Sequence, residues 1–229
     1  MTFAATGLPS GATASFSPAA VVGSGASTLT LATGLTTPGG SYPITITGTS
    51  GILSHSTTAT LVVTVSAPAG AVFVSTDSTT KGTWKGVYGN QGYAIANDAT
   101  NYPFYAQVSF AGQSDYTWAG STTDLRALQK GAASDRIAST WYSTTSFDID
   151  INLTDGNWHQ VAIYCLDWDN NGRAQRVDIL DSFSGTVLNS VDLAAFSNGR
   201  YLIWNLKGHV KIRATRTAGH SSLVNGLFF

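Results

Sequence analysis

The chain has 229 residues, a formal net charge of −1 and only 11% charged side chains. This balance lacks the basic stripe that nucleic-acid binding requires, and no apolar run approaches the roughly 18 residues of a membrane-spanning helix. All 13 acidic residues are Asp, and the abundance of Thr, Val, Tyr and Trp favours strands over helices. The composition therefore predicts an all-β protein with neither a nucleic-acid partner nor a membrane-inserted segment.

Short alternating runs separated by glycine and proline make up residues 1–66, which carry no charged side chain. Runs at this spacing predict a β-sandwich. Pro43 inside one run favours an edge position, because proline cannot donate to a sheet ladder. The predicted strands are Thr2 to Thr6, Ala12 to Phe16, Ser27 to Ala32, Ser41 to Thr47 and Thr57 to Val65.

Two stretches of this segment carry a family resemblance, Gly7-Leu-Pro-Ser-Gly-Ala-Thr-Ala-Ser-Phe-Ser-Pro18 and Thr36-Thr-Pro-Gly-Gly-Ser-Tyr-Pro-Ile-Thr-Ile-Thr-Gly48. They resemble the bacterial immunoglobulin-like repeats of secreted, multidomain proteins. The resemblance implies a partial immunoglobulin-like spacer domain over residues 1–66, whose first strands precede residue 1. Because Met1 is the only Met, we expect the chain to be an excised piece of a longer protein with an added start codon.

The composition changes after a short predicted linker, Ser66 to Gly70, since every charged side chain and all six Trp residues lie beyond it. A segment of about 160 residues is a single domain that buries roughly 70% of its extended-chain surface. Only Thr123 to Lys130 predicts one or two helical turns. The predicted strands are Ala71 to Ser75, Tyr93 to Ile95, Tyr105 to Phe110, Asp115 to Trp118, Ile137 to Tyr142, Phe147 to Leu153, Gln160 to Leu166, Gln175 to Leu180, Val187 to Asp192, Tyr201 to Leu206, Val210 to Thr215 and Leu223 to Phe229.

Two of these strands alternate strictly between apolar and charged residues. Asp148 and Asp150 alternate with apolar residues in one strand, and Lys211 and Arg213 do so in another. Each strand therefore has one core face and one polar face. We expect the acidic and basic faces to be cross-strand neighbours, each pair stabilising the sheet by roughly 0.2–1 kcal/mol.

A polar loop, Asp167 to Arg173, lies between two strand-like runs and predicts a hairpin. The run before the loop, Val161 to Leu166, is apolar on both faces and predicts a central strand of a sheet that is covered on both sides. The loop brings an indole, two carboxylates, two amides and a guanidinium to one end of that sheet.

Several aromatic and glycine-rich stretches of the second segment together resemble a known module. They are Gly82 to Tyr93, Trp141 to Ser143, Asp167 to Arg173, Phe196 to Tyr201, Gly208 to Val210 and Val224 to Phe229. They resemble the galactose-binding-like jelly-roll modules that accompany extracellular bacterial glycoside hydrolases and related polysaccharide-degrading proteins. The resemblance implies a jelly-roll carbohydrate-binding domain over residues 70–229, an attached catalytic domain in the full-length protein, and an extracellular or cell-surface location.

Sugar binding requires an exposed aromatic ring to cover the C–H face of a pyranose, with planar polar groups nearby to bind hydroxyls. Glycines surround Trp84 and Tyr88, and polar residues surround Trp168, so these three rings are the predicted contacts, with Asn170 and Arg173 as polar partners. The alternative is that these aromatic residues pack beneath their loops. The remaining tryptophans lie in strand-like runs and are predicted to be core: Trp118, Trp141, Trp158 and Trp204.

The same loop also fits a calcium pattern. Its alternating oxygen-bearing side chains and the Gly172 bend resemble an Asp-x-Asp-x-Asn-Gly loop. The predicted ligands are Asp167, Asp169, Asn171 and Asp178. The flanking runs, however, are strands rather than helices, so a plain polar loop is the alternative.

No catalytic residue is predicted. The chain has no Gly-x-Ser-x-Gly or His-Glu-x-x-His motif and no Glu for acid catalysis. We therefore expect non-catalytic binding of a polysaccharide or oligosaccharide. A structural or adhesive cell-surface module, with calcium as a stiffener, is the alternative. Whether the loops at Trp84 and Trp168 meet in one site is a question of tertiary structure.

Overall fold

The computed structural model describes residues 1–34, 36–64 and 68–229. These residues form twenty strands and no helix, which confirms the all-β prediction, and none of them belongs to a helix that could span a membrane. The chain divides into two compact units, Met1–Val65 and Ser66–Phe229. Val65, the end of the fifth predicted strand, and Ser66 and Ala67 of the predicted linker lie outside the described residues.

The first unit contains two small sheets. Its strands are β1 (Thr2–Thr6), β2 (Ala12–Ser17), β3 (Thr28–Thr33), β4 (Gly40–Ser50) and β5 (Leu53–Val63). The order β1-β4-β5 forms one sheet and β2-β3 the other. Phe3 on β1 stacks on Phe16 of β2 at 5.5 Å between ring centroids, which joins the two sheets. The immunoglobulin-like assignment of this unit stays a prediction.

Pro43 lies in the middle strand of the three-stranded sheet rather than in an edge strand. However, the ladder of β1 ends where Thr6 pairs with Thr45. Pro43 therefore has a partner on one side only, Thr60 of β5. Proline is tolerated at this position because it lies just beyond the three-stranded region, where β4 is paired on one side only.

The second unit contains fifteen strands in three sheets. They are β6 (Gly70–Asp77), β7 (Tyr93–Ile95), β8 (Thr100–Asn101), β9 (Ala106–Ala111), β10 (Ser114–Thr122), β11 (Leu128–Gln129), β12 (Arg136–Ser143), β13 (Ser146–Leu153), β14 (His159–Cys165), β15 (Ala174–Asp181), β16 (Val187–Ala194), β17 (Arg200–Lys207), β18 (His209–Ala218), β19 (Ser222–Val224) and β20 (Gly226–Phe228). The orders are β6-β17-β14-β20-β7-β8, β16-β15-β18-β13-β9 and β10-β12-β11, with β19 also paired to β12.

The main core lies between the six-stranded and the five-stranded sheets. Alternate residues of β14, including Val161 and Ile163, pack there against alternate residues of β13 and β18, such as Ile149 and Ile212. Because successive side chains of a strand point to opposite faces, each strand contributes every second residue to this core. The prediction of a β-sandwich is thus confirmed for this unit.

A second apolar cluster, here called the outer cluster, covers the opposite face of the six-stranded sheet. Its buried members are Trp84, Ile95, Leu128, Ile137, Ala162, Tyr164, Leu166, Tyr201, Ile203 and Phe228. The two buried tyrosines keep hydrogen bonds, from Tyr164 Oη to the carbonyl of Arg126 at 2.7 Å and from Tyr201 Oη to that of Lys81 at 2.6 Å. Strand β14 is therefore covered on both faces, which confirms its predicted central position.

The predicted hairpin around Asp167 to Arg173 is wrong. Strand β14 pairs with β17 and β20 in the six-stranded sheet, whereas β15 pairs with β16 and β18 in the five-stranded sheet. The loop thus crosses the end of the sandwich from one sheet to the other. A run that is apolar on both faces needs strand partners on both sides, and here β17 and β20 take those positions.

The helical turns predicted at Thr123 to Lys130 are also wrong. Asp124 accepts hydrogen bonds from the backbone N–H of Arg126 at 2.8 Å and from its Nε at 3.2 Å. This local carboxylate competes with helical hydrogen bonding, and the segment forms a turn that leads into the two-residue strand β11.

The predicted ladder of opposite charges is confirmed. Strands β13 and β18 are antiparallel neighbours, with Asp148 opposite Arg213 and Asp150 opposite Lys211. Arg213 donates from Nε and Nη2 to the two oxygens of Asp148 at 2.7 and 2.9 Å. These hydrogen bonds from Arg213 lower the pKa of the Asp148 carboxyl. The carboxylates of Asp148 and Asp150 on β13 are thus each paired with a basic side chain of β18.

Candidate functional site

An aromatic surface on the four-stranded sheet lines a cleft of about 250 Å³, here called the aromatic cleft. Strand β10 contributes Tyr116 and Trp118, and strand β12 contributes Tyr142. The two rings of β10 meet edge to face at 5.4 Å, and the Tyr116 side chain is 51% exposed. The remaining lining residues are Thr140, Asp169, Asn171, Arg173, His220 and Ser221.

The strand register explains why these rings share one face. Tyr116 lies opposite Thr140, and Ser114 lies opposite Tyr142. Residues two apart on a strand, and residues directly paired across two strands, project to the same side, so Tyr116 and Tyr142 share a face. Trp118 lies where the register shifts between Thr117 and Ala119, and its ring lines the same cleft. The neighbouring Trp141 projects to the other side, where it is buried and packs 4.5 Å from the ring of Phe110.

The sheet-crossing loop closes one end of the aromatic cleft, and the buried carboxylate of Asp167 shapes it. Its oxygens accept the backbone N–H groups of Asn171 at 3.2 Å and of Arg173 at 3.1 Å. Asn170 and Gly172 take positive φ values of 51° and 63°, which asparagine and glycine tolerate best. The loop therefore folds around its own first aspartate and directs the side chains of positions 169, 171 and 173 toward β10.

Arg173 holds the end of the aromatic cleft together. Its buried guanidinium donates to the carboxylates of Asp167 and Asp169, and its Nε donates to Ser221 Oγ at 3.2 Å. The same group lies 5.7 Å from the centroid of the Trp118 ring, within cation–π range. Most of its donors are thus engaged by protein groups, and Arg173 positions the loop and the indole.

Asp169, Asn171 and His220 supply the accessible polar atoms. The Asp169 side chain is 38% exposed even though it is paired with Arg173, and Asn171 and His220 are exposed. The hydrogen bond from Arg173 lowers the pKa of Asp169, so this carboxylate stays ionised and acts as an acceptor. Rings beside such acceptors and donors suit a ligand with apolar C–H faces and hydroxyl groups.

Trp168 and Asn170, predicted from the same loop, do not line the aromatic cleft. Trp168 packs against the outer cluster, and the guanidinium of Arg126 covers its ring at 4.7 Å. Asn170 is exposed at the bend of the loop. Side chains on a tightly turned loop diverge, so this loop sends its indole to one side and its Asp169, Asn171 and Arg173 groups to the other.

The prediction that Trp84 offers a free ring to a sugar is wrong. Its side chain is only 4% exposed, its Nε1 donates to the carbonyl of Gln129 at 2.7 Å, and its ring packs 5.2 Å from that of Phe228. The neighbouring glycine explains the burial: a Cβ on Gly89 would lie 2.9 Å from the Trp84 ring. Glycine at this position lets the backbone pass close to the indole ring. It is therefore not a sign of an exposed loop.

Tyr88 is half-buried and also serves packing. Its ring stacks on Tyr201 of the outer cluster at 4.3 Å, and its hydroxyl donates to Asp77 Oδ2 at 2.9 Å. Burial and this hydrogen bond to Asp77 raise the pKa of Tyr88 well above its usual value. Both predicted loops therefore pack aromatic rings on the outer cluster: Trp84 and Tyr88 from one loop and Trp168 from the other.

Of the four tryptophans predicted to be core, Trp141 and Trp204 are confirmed as buried. Trp118 is partly buried: it packs against the main core and also lines the aromatic cleft. Trp158 is 52% exposed. A usable signal existed in the adjacent residues Trp141 and Tyr142. Neighbouring strand residues point to opposite faces, so the two rings cannot be equally buried: Trp141 belongs to the main core, whereas Tyr142 is only partly buried and packs at its margin.

The predicted calcium ligands are not gathered into one set, and that part of the calcium prediction is wrong. Asp167 and Asp169 share the guanidinium of Arg173. Asp178 accepts from Arg176 Nε at 2.7 Å, on a strand that has carried it roughly 13 Å beyond the loop. Among the described residues no group of three His, Cys, Asp or Glu side chains could hold a metal ion. Calcium binding by this protein stays a prediction.

No protein-family model and no curated protein sequence matches the chain. Among solved structures, a family 35 carbohydrate-binding module from Clostridium thermocellum is similar at 16% identity and a TM-score of 0.33, over 53% of this chain and 89% of its own. TmCBM61 in complex with β-1,4-galactotriose is similar at 13% identity and a TM-score of 0.31, over 54% and 87%. A β-glucuronidase from Bacteroides uniformis is similar at 13% identity and a TM-score of 0.32, over 88% of this chain and 23% of its own. At these scores the similarities carry no conclusion about function.

Proposed function

We propose that the second unit is a non-catalytic module that binds a polysaccharide or oligosaccharide in the aromatic cleft. One observation carries the proposal: Tyr116, Trp118 and Tyr142 project from adjacent strands into a cleft that ends in Asp169 and Asn171. Rigid strands hold the rings, and a loop organised by a buried ion pair holds the polar groups. The cleft is thus shaped before any ligand arrives, which lowers the ordering cost of binding.

The chemistry of this lining matches a sugar. Aromatic faces carry partial negative charge and attract the C–H groups on the apolar face of a pyranose. The Asp169 carboxylate and the amide of Asn171 can accept and donate hydrogen bonds to ring hydroxyls at the rim. A purely apolar ligand would leave these polar groups without partners, so a molecule with both kinds of surface fits best.

The charges favour an uncharged sugar over a uronate. Asp169 at the end of the cleft and Asp167, which is buried behind it, share the single guanidinium of Arg173, and this leaves one net negative charge. A carboxylated ligand would be repelled at short range. We therefore expect neutral polysaccharides to bind more tightly than acidic ones at low ionic strength.

The lining supports binding rather than hydrolysis. Most glycosidases use two carboxyl groups, one of them protonated to act as an acid. Among the described residues of the cleft, Asp169 is the only acid, and the hydrogen bond from Arg173 holds its pKa low. Such a carboxylate cannot donate a proton near neutral pH.

In this proposal the module works outside the cell as part of a longer polysaccharide-degrading protein. Binding would hold an attached catalytic domain near its substrate and raise the effective concentration of cleavable bonds. The attached domain and the extracellular location are expectations from the sequence resemblance. Sequencing the full-length gene tests both, through a neighbouring catalytic domain and an export signal.

Binding to immobilised glycans tests the proposed activity. The whole chain is passed over insoluble cellulose, xylan, mannan and galactan, and over a glycan array that includes uronate polymers. We expect retention on a neutral polysaccharide, with at least tenfold weaker retention for Trp118→Ala. Phe183→Ala is the matched control, because it removes an aromatic ring that is also exposed but does not line the cleft.

Failure to bind any glycan, with or without calcium, would contradict the proposal. It would favour the structural or adhesive alternative. Equal losses for Trp118→Ala and Phe183→Ala would show that retention is a general effect of exposed rings and not a property of the aromatic cleft.

A further inference from the structure

A second cleft of about 240 Å³ lies on the outer face of the six-stranded sheet, at the start of β14. Its walls are the segment 87–91 on one side and Trp158 with Gln160 on the other. We call it the amide cleft, because three side-chain amides line it: Asn90, Gln91 and Gln160. Of the predicted sugar-binding residues, only Tyr88 lines this cleft.

Trp158 is an exposed ring with a defined position. Its side chain is 52% exposed, although an indole gains considerably from burial. The ring packs on the backbone at Gly70, where an added Cβ would lie 2.6 Å from Cη2. Since only glycine leaves room for the indole at this point, the ring is supported from one side and open to solvent on the other.

The facing wall is also fixed. The backbone N–H of Gln91 donates to the carbonyl of Phe229 at 3.1 Å, and the N–H of Phe229 donates to the carbonyl of Gly92 at 2.8 Å. The side-chain carbonyl of Gln91 accepts from the hydroxyl of Tyr105. This pair of backbone bonds ties the segment to the end of β20, so the cleft keeps its width.

The free polar groups of the amide cleft are neutral. Asn90 and Gln160 are exposed, and the described residues give their side chains no hydrogen-bond partner. The imidazole of His159 is held from outside the cleft by Asp155, whose two oxygens lie 3.0 Å from Nε2, and it stacks on Tyr105 at 3.7 Å. An amide offers a donor and an acceptor side by side, which suits a pair of neighbouring hydroxyls.

We propose that the amide cleft is a second carbohydrate-binding site, specific for an uncharged sugar unit. Trp158 covers the C–H face of the sugar, and Asn90, Gln91 and Gln160 bind its hydroxyls. The lining contains no Asp, Lys or Arg, and its one imidazole, that of His159, is already paired with Asp155. The site is separate from the aromatic cleft, because the two lie at opposite ends of β14, roughly 20 Å apart by strand rise.

Two sites on one rigid unit have a specific consequence for insoluble ligands. Once one site holds a polysaccharide surface, the other meets neighbouring chains at high effective concentration. Both sites then contribute to retention on a solid, whereas each contributes separately to the binding of a short soluble oligosaccharide.

Indole N–H signals provide a site-resolved test, since the chain has six Trp residues. The ¹⁵N-labelled whole chain is titrated with cellohexaose, xylohexaose, mannohexaose and galactotetraose, and signals are assigned by single substitutions. We expect the signals of Trp118 and Trp158 to shift with separate Kd values, while that of the buried Trp204 stays in place. In Trp118→Ala the Trp158 signal should still shift, and in Trp158→Ala the Trp118 signal should still shift.

The outcomes separate this inference from the proposed function. A shift of Trp118 without any shift of Trp158 overturns the second site and leaves the first intact. A shift of Trp158 that disappears in Trp118→Ala also overturns it, because it would report the aromatic cleft from a distance. If neither signal shifts, both proposals are overturned. If only the Trp158 signal shifts, the second site is supported and the aromatic cleft is not. If the Trp158 signal shifts with protein concentration and not with added sugar, the amide cleft binds a second copy of the chain, and the proposal of a sugar site is overturned.

Retention on an insoluble polysaccharide provides an independent readout. We expect Trp158→Ala and Gln160→Ala to elute at least tenfold more easily than the wild type, with Phe183→Ala unchanged. Gln160→Ala changes an exposed side chain, so its thermal melt should match the wild type, whereas Trp158→Ala also loses the packing of the indole on Gly70 and should melt slightly lower. Undiminished retention of both variants, on a polysaccharide that the wild type binds, contradicts the proposal.

Discussion

Trp84 and Trp118 are two indoles of the same unit, and the structure departs from the predicted role of each. Trp84 lies in a glycine-rich loop and is buried in the outer cluster, whereas Trp118 lies in a strand and lines the aromatic cleft. The difference follows from what covers each face of the sheet. A loop can lie flat on an apolar sheet face and bury its rings there, while a strand face that is only partly covered leaves part of its rings accessible.

The glycines around Trp84 have a packing role that composition does not reveal. A Cβ on Gly82 would lie 1.8 Å from the carbonyl oxygen of Ala127, and one on Gly89 would collide with the indole. The loop segment is thus pressed onto its neighbours at both points. Aromatic residues in glycine-rich segments are therefore poor evidence of a binding surface unless the segment is shown to be uncovered.

The largest expected effect is on stability, from Trp84→Ala. Removing a buried Trp side chain should lower the free energy of unfolding by about 3–5 kcal/mol, because a cavity remains where contacts were. Urea denaturation measures the loss, and Trp84→Phe should retain most of the stability. A Trp84→Ala variant that keeps its stability but loses glycan binding would reverse the roles assigned to the two indoles.

Arg173→Met should have the next largest effect, about 3 kcal/mol, because it leaves the Asp167 carboxylate buried without its cation. The side chains of Arg173 and Asp167 are 6% and 3% exposed, so water cannot replace the pair. The double variant Arg173→Met/Asp167→Asn should recover much of the loss, since no buried charge remains. Equal stability of the single and double variants in chemical denaturation would show that the ion pair does not organise the loop.

Trp118→Ala should separate binding from folding. We expect at least a tenfold rise in Kd for a retained glycan, or about 1.4 kcal/mol, with a smaller loss of stability than Trp84→Ala because Trp118 is only partly buried. Calorimetric titration and thermal melts on the same samples measure both quantities. A Kd equal to that of the wild type would remove Trp118 from the site.

The smallest effect concerns pH. The pKa of Asp169 is lowered from its ordinary value of 3.8 by the hydrogen bond from Arg173, so its contribution to stability is present above that value. It is lost as the pH falls through the lower folded pKa. Melting temperatures from pH 7 to pH 2 should therefore fall less steeply for Asp169→Asn than for the wild type. High salt should shrink the difference, because the carboxylate is partly exposed; a steeper fall would contradict the assigned sign.

Much of the strand pattern could be predicted because it is local. The alternation of Asp148 and Asp150 with apolar neighbours defines one buried face without knowledge of any partner strand. The run from Val161 to Leu166 indicates a central strand in the same way. The two-residue strands β8 and β11 were not predicted, since two residues show no period.

The candidate site could be predicted only in part. The polar residues Asp169, Asn171 and Arg173 stand out as a concentrated group, and the structure places them together at the aromatic cleft. Their aromatic partners come from β10 and β12, far away along the chain. Nothing local to the loop indicates that Trp118 will lie beside Arg173, because that contact depends on how the sheets are arranged.

Alternation along single strands thus predicts the all-β class, the faces of β13 and β18 and the central position of β14. It follows from backbone geometry, since successive side chains must point to opposite sides of a strand. The course of the loop between β14 and β15, and whether Trp84 or Trp118 meets solvent, depend on strand pairing and on what covers each sheet. Those contacts join residues distant in sequence, and they place the aromatic cleft and the amide cleft at opposite ends of one strand.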